Sequence, residues 1–145
     1  MSEQAQPGFE LAAPLRADCH VLGRLPLCHV LLMNKAEVPW FILVPETEVI
    51  ELCDLSVEMQ TRLQGEINLL SRFVRGQFEI TKLNVAAIGN IVAQMHIHII
   101  GRHPRDPWWP NVAWGQTSAG GYDTARVSEI ATRLAEQFGD ALQAA

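Results

Sequence analysis

Gln94-Met95-His96-Ile97-His98-Ile99-Ile100 alternates polar and apolar side chains, the period of a half-buried β-strand. In an extended strand Gln94, His96 and His98 point to one face and Met95, Ile97 and Ile99 to the other. The apolar face packs on a core, and the other is left to water or to chemistry. Imidazoles about 7 Å apart along one strand face reach a common ligand, and His is the side chain that changes charge nearest neutral pH. Two solvent-facing His on an ordinary antiparallel strand satisfy the same pattern. The neighbours favour a site. Asn84 and Asn90 precede the strand, Gly89 and Gly101 bracket it, and Trp108, Trp109 and Trp114 follow. Amides, imidazoles and aromatics gathered in this way suit a ligand pocket.

Working outward, Lys82 to Ile88 reads as a strand, and the Gly89-Asn90 break lays it antiparallel beside the strand running from Gln94 to Arg102. This brings Asn84 and Asn90 near the imidazoles. His103-Pro104-Arg105-Asp106-Pro107 ends the strand, since proline cannot donate to the ladder. The Trp run beyond it must be covered by its own chain, a partner subunit or a ligand base, and self-packing or a subunit interface is the expectation. Upstream, Asp18 to Arg24 and Leu27 to Met33 are short β-prone runs on either side of Leu25-Pro26. Trp40 to Val44 forms a third run after the turn Asn34 to Glu37, so Asn34 stands at a strand end. Met1 to Leu15 reads as a loose arm with Phe9 and Leu11 docking.

Two helices complete the layout. Ser56 caps a long one with Met59, Leu63, Ile67, Leu70 and Val74 on its inner stripe, Arg62, Gln64, Glu66, Ser71 and Arg72 on other faces, and Gly76 at its end. Asp123 caps a second, with Val127, Ile130, Ala131, Leu134 and Phe138 inward and Gly139 as its stop. The order of strands and helices predicts an α+β domain over residues 1–145 with a mostly antiparallel five-stranded sheet, the long helix packed on it and a C-terminal helix at about 123–139.

The 145 residues suit one domain. A net charge of -5 with 11 basic residues argues against holding a nucleic acid by phosphate neutralisation, while leaving small phosphorylated ligands open. No apolar run approaches the ~20 residues of a membrane helix. Met1 to Gly8 lacks the features of a secretory signal, which predicts a cytoplasmic location. Cys19, Cys28 and Cys53 show no paired spacing and are expected as buried reduced thiols.

With these residues in view, the chain resembles the histidine triad (HIT) family of nucleotide hydrolases and transferases. Its signature is His-φ-His-φ-His-φ-φ with φ apolar, and Gln94 to Ile100 matches everywhere except the first position. Leu83-Asn84 through Gly89-Asn90 resembles the family's loop into that strand. Leu31 to Asn34, followed by Phe41-Ile42-Leu43-Val44-Pro45, resembles its earlier strands, and the similarity spans about residues 18–115. The resemblance implies a HIT-like fold, a homodimer, and cleavage at a nucleotide α-phosphate through a covalent nucleotidyl-histidine. His96 matches the nucleophile. His98 matches the last triad position, which contacts a phosphate oxygen or the leaving group. Asn34 matches the polar residue that holds the ribose, and Asn84 and Asn90 match amides near the phosphate. No cofactor is implied beyond magnesium carried by the substrate.

Gln94 departs from the pattern, since it cannot exchange a proton near neutral pH. Trp40 stands where many members carry a further His. The chain resembles a mostly bacterial branch whose motif begins with Gln and continues into a Trp-rich tail. A missing imidazole weakens assistance to poor leaving groups such as amines more than to polyphosphates, so nucleotide anhydrides are the expected substrates. Three rivals are weighed beside this reading. One is a metal site of His96 and His98 with His103, His29 or His20, which lacks the acidic residue such strand sites use. Another is a catalytically weak nucleotide-binding protein on the same fold. A third is a purely structural dimer using the Trp run.

Overall fold

The computed structural model describes residues 8–145, so Met1 to Pro7 of the expected arm lie outside the described residues. Strands β1 (Cys19–Arg24), β2 (Cys28–Met33), β3 (Trp40–Pro45), β4 (Lys82–Ala87), β5 (Ile97–Arg102) and β6 (Gln143–Ala144) form a sheet in the order β4-β5-β3-β2-β1-β6. Every neighbouring pair is antiparallel. The sheet therefore has six strands rather than five. The sixth is a two-residue strand against Gly23 and Arg24, too short to carry an alternation pattern.

Helix α1 (Ala13–Asp18) was not foreseen in the arm; Pro14 sits in its first turn, where a missing N–H leaves no bond unmade. Helix α2 (Val57–Gln77) begins as expected, with Ser56 accepting from the Met59 amide. It runs through Gly76 and is capped by Phe78, whose amide donates to the Val74 carbonyl. Helix α3 (Thr124–Phe138) has both expected caps, Asp123 accepting from the Arg126 amide and Gly139 at φ +54°. Among the described residues no helix is long and apolar enough to cross a membrane.

Both faces of the sheet are covered, because β3 is apolar at every position. Phe41, Leu43, Ile97 and Ile99 face one core with Leu63, Leu70, Phe73 and Val74 of α2 and Ile130 and Leu134 of α3. Trp40, Ile42, Val44 and Ile100 face the other, closed by Leu15 of α1, Trp108 and Ala113, with Phe9 and Leu11 packed at its margin. The Trp run is thus largely self-packed, with Trp108 buried, Trp114 half-buried and Trp109 on the exposed rim. Of the thiols, Cys28 is buried and Cys19 half-buried, while Cys53 is exposed, contrary to expectation.

Glu66 corrects the helix reading as well. It is buried, and its carboxylate accepts from the amides of Leu27 and Cys28 at 2.8 Å each. These N–H groups open β2, and the helix supplies the acceptor they need. Burial raises the Glu66 pKa, the two donors opposing the rise.

Candidate active site

β5 begins at Ile97, so Gln94, Met95 and His96 belong to the loop that enters it rather than to the paired strand. His96 shows why. Its Nδ1 lies 2.7 Å from the carbonyl oxygen of Gln94, a contact two residues back that bends the chain before the ladder starts. Since a carbonyl only accepts, Nδ1 donates and Nε2 keeps its lone pair. Nε2 makes no hydrogen bond within the described residues, and His96 borders a cleft of about 440 Å³. Asn90, Gly89, Ile50, Leu52 and Cys53 line the same cleft, whose one charged lining residue is Glu51. Gly89 allows the loop its course: a Cβ there would stand 2.9 Å from the Val92 carbonyl oxygen.

His98 lies in β5 opposite Ile42, and its ring centroid is 5.0 Å from that of His96, closer than two positions of an ideal strand. Trp40, diagonal to it on β3, donates from its indole nitrogen to His98 Nδ1 at 3.0 Å. That bond requires an unprotonated Nδ1, so the neutral ring carries its hydrogen on Nε2. Trp114 packs edge-on against both rings, 5.1 Å from His98 and 5.7 Å from Trp40. Burial, then the neighbouring His96, pushes the His98 pKa down to about 4, the Ile88 carbonyl partly opposing. His98 is therefore neutral across the physiological range.

This has a measurable consequence for stability. Above pH 6.5 His98 is neutral in both folded and unfolded chains. As the pH falls below 6.5 the unfolded chain takes up a proton that the folded chain refuses until about 4, so stability drops across that window. The loss from this group is roughly 3 kcal/mol at most. Urea titrations from pH 7 to 4 are expected to show His98→Asn losing less stability than wild type; parallel curves would contradict the assignment.

Gln94 is half-buried and lines the same cleft as His96, with both ends of its side-chain amide bonded within the chain. Its Oε1 accepts from the Ala12 amide at 2.8 Å and its Nε2 donates to the Glu10 carbonyl at 2.9 Å. The sequence did not reveal this use, because the partners lie 82 and 84 residues away. Trp40, noted only as a missing His, proves to be the partner of His98.

The structure places Gln94, His96 and Asn90 on one cleft, with the His98 ring against that of His96 but outside the lining, and gives Asn34 and Asn84 bonds elsewhere. Asn34 Oδ1 accepts from the Tyr122 amide and bonds His20 Nε2, both at 2.9 Å, tying the end of β2 to the start of α3. Asn84 Oδ1 accepts from Arg102 at 3.1 Å. Neither amide lines the cleft beside His96. Arg102 is itself fully buried, paired with Asp106 through Nε and Nη2 and lying over the Trp109 ring. The other His are dispersed: His29 bonds Glu46 and stacks on Phe9, and His103 approaches Glu79 at 3.8 Å. Among the described residues no three His, Cys, Asp or Glu side chains gather in a way that holds a metal ion.

Chemically, the cleft offers an imidazole with one nitrogen anchored and the other without a partner among the described residues, beside a glycine-containing loop and an amide. That is the equipment of a nucleophile for a phosphorus centre. The HIT domain family model matches residues 15–105. A histidine triad (HIT) protein from Sinorhizobium meliloti is 35% identical, with a TM-score of 0.86 over 90% of this chain and 97% of that one. One from Bradyrhizobium japonicum is 36% identical, TM-score 0.86, over 90% and 98%. A third, from Marinobacter aquaeolei, is 40% identical, TM-score 0.84, over 89% and 95%. No curated protein matches the chain.

Proposed function

The chain belongs to the histidine triad (HIT) family, and from that premise we propose that it cleaves nucleotides at the α-phosphate through a covalent nucleotidyl-His96 intermediate, with dinucleoside polyphosphates or similar anhydrides as substrates. The observation that carries this reading is the His96 tautomer. With Nδ1–H held on the Gln94 carbonyl, Nε2 attacks phosphorus without first losing a proton. The P–O bond to the leaving phosphate breaks with its electron pair staying on oxygen. Water then attacks the phosphorus and expels His96, regenerating the imidazole. Asn90 and Gly89 line the same cleft, which supports them as the donors to phosphate oxygens.

Neither Gln94, committed to the N-terminal segment, nor His98, whose Nδ1 accepts from Trp40 while its remaining N–H is engaged by the Ile88 carbonyl, has a proton ready for a departing amine. Phosphate leaving groups depart without one. The cleft lining includes Glu51 and neither Lys nor Arg, so a polyphosphate enters with its charge reduced by magnesium it carries. A homodimer in the cytoplasm completes the reading.

The test is a product and intact-mass assay on a panel of dinucleoside polyphosphates, nucleotide sugars and nucleoside phosphoramidates, with and without magnesium. kcat/KM is expected to be at least about tenfold higher for polyphosphates, and to fall on chelation. A preference for phosphoramidates defeats the proposed substrate class. One observation favours a second reading, a nucleotide-binding protein with little turnover: His96 is the one triad-position side chain left without a fixed structural partner on its cleft side. Nucleotide binding with no adduct and no product identifies it.

A further inference from the structure

The first triad position has been given a mechanical use. Residues 88–95 lie between the end of β4 at Ala87 and the start of β5 at Ile97, beyond the reach of the strand ladder. Outside helices and strands, no main-chain hydrogen bond to this stretch is found among the described residues. The Gln94 carbonyl, on which the His96 tautomer depends, is therefore not fixed by sheet pairing. Residue 94 is held on one side by Met95, buried in the first core, and on the other by its own side chain, bonded at both ends of its amide to the main chain at Glu10 and Ala12. That segment is anchored in turn, by Leu15 in the second core, by Phe9 stacked on His29 at 5.4 Å, and by the bond from the Arg16 amide to the Ala12 carbonyl.

We propose that Gln94 is a positioning residue that docks residues 10–12 and thereby fixes its own carbonyl as the acceptor for His96, so that the N-terminal segment sets the orientation of the nucleophile. A neutral His also offers one donor and one acceptor, but on ring nitrogens set at other angles from the two ends of the Gln94 amide. Gln replaces proton exchange with a latch. The consequence for catalysis rests on reading His96 as the nucleophile; the structural claim does not.

Three variants separate the possibilities. Gln94→Met keeps the length of the side chain and removes both bonds. Gln94→Glu keeps the acceptor for Ala12 N–H but sets a carboxylate oxygen against the Glu10 carbonyl. Ala12→Pro deletes the donor from the other side, at a residue whose φ of -55° proline accepts. In nitrogen-15 NMR, wild-type His96 is expected in the Nδ1–H tautomer. In Gln94→Met and Ala12→Pro the Nε2–H form is expected to rise toward an even mixture, with Gln94→Glu between. The Arg16 amide in all three, and the Ala12 amide in the two Gln94 variants, is expected to exchange about five- to tenfold faster, while amides in α2 hold their rates.

Faster exchange with an unmoved His96 tautomer overturns the proposal, and so does the absence of any change. Where turnover is measurable, kcat falls with KM nearly constant, and a KM effect alone also overturns it. If the tautomer shifts as expected in a protein that turns over no nucleotide, the latch stands and the hydrolase reading fails.

Discussion

His96→Ala is expected to abolish the nucleotidyl adduct and to lower kcat/KM by roughly 10⁴- to 10⁶-fold, the range seen when a covalent nucleophile is removed. The size follows from what remains. His98 is neutral, its Nδ1 occupied by the Trp40 indole. Both polar ends of the Gln94 side chain are bonded to the main chain at Glu10 and Ala12. Among the triad-position residues, none other than His96 presents a bare nitrogen to the cleft, so no neighbour takes over the attack. Quenched intact-mass spectra and initial rates are the measurement. Nucleotide affinity is expected to stay within a few-fold of wild type, because alanine enlarges the cleft without burying a new charge. A variant that keeps its rate within about tenfold of wild type ends the covalent mechanism.

Arg102→Ala carries the largest expected loss of stability, about 3–5 kcal/mol, because it strands the buried carboxylate of Asp106. The side chains of this pair are only 2% and 6% exposed, and the Nε–Oδ2 distance is 2.9 Å. Burial alone raises the Asp106 pKa, but the Arg102 bond and the amides of His103 and Trp108 outweigh it and hold the carboxyl below its ordinary range. Removing the guanidinium leaves two N–H donors to face the whole charge. It also frees Asn84 and uncovers the Trp109 ring, loosening the loop that lays Trp114 against His98. Urea unfolding measures the loss, and a cycle with Asp106→Ala isolates the coupling. The double variant is expected to be less destabilised than the sum of the two singles. Additive losses refute the buried-pair account.

The parts legible in the sequence were those governed by local rules. The caps at Ser56 and Asp123, the stop at Gly139 and the apolar stripes of α2 and α3 depend on residues within a few positions of one another. The hairpin neighbours followed from runs separated by short turns, and the triad-like motif stood in seven consecutive residues. Where such rules were silent, expectation and structure parted. Glu66 was read onto another face, yet its spacing, three residues after Leu63 and four before Leu70, sets it at the edge of the inner stripe, where the amides of Leu27 and Cys28 bond it. For Asn34 and Asn84, which the resemblance assigned to the nucleotide, the structure adds bonds within the fold through Oδ1 that local rules do not foretell.

The chemistry of the site divides in the same way. The amino-acid sequence by itself determined that Gln94, His96 and His98 alternate with apolar residues in one run, and that Trp40 opens an earlier apolar run. Only the tertiary structure decided what those side chains do. His96 acquires its tautomer from the carbonyl two residues back, His98 its neutrality from Trp40 and burial, and Gln94 its duty from main-chain atoms more than 80 positions away. Periodicity records which face a residue occupies, whereas a hydrogen bond depends on which distant group folding brings to that face.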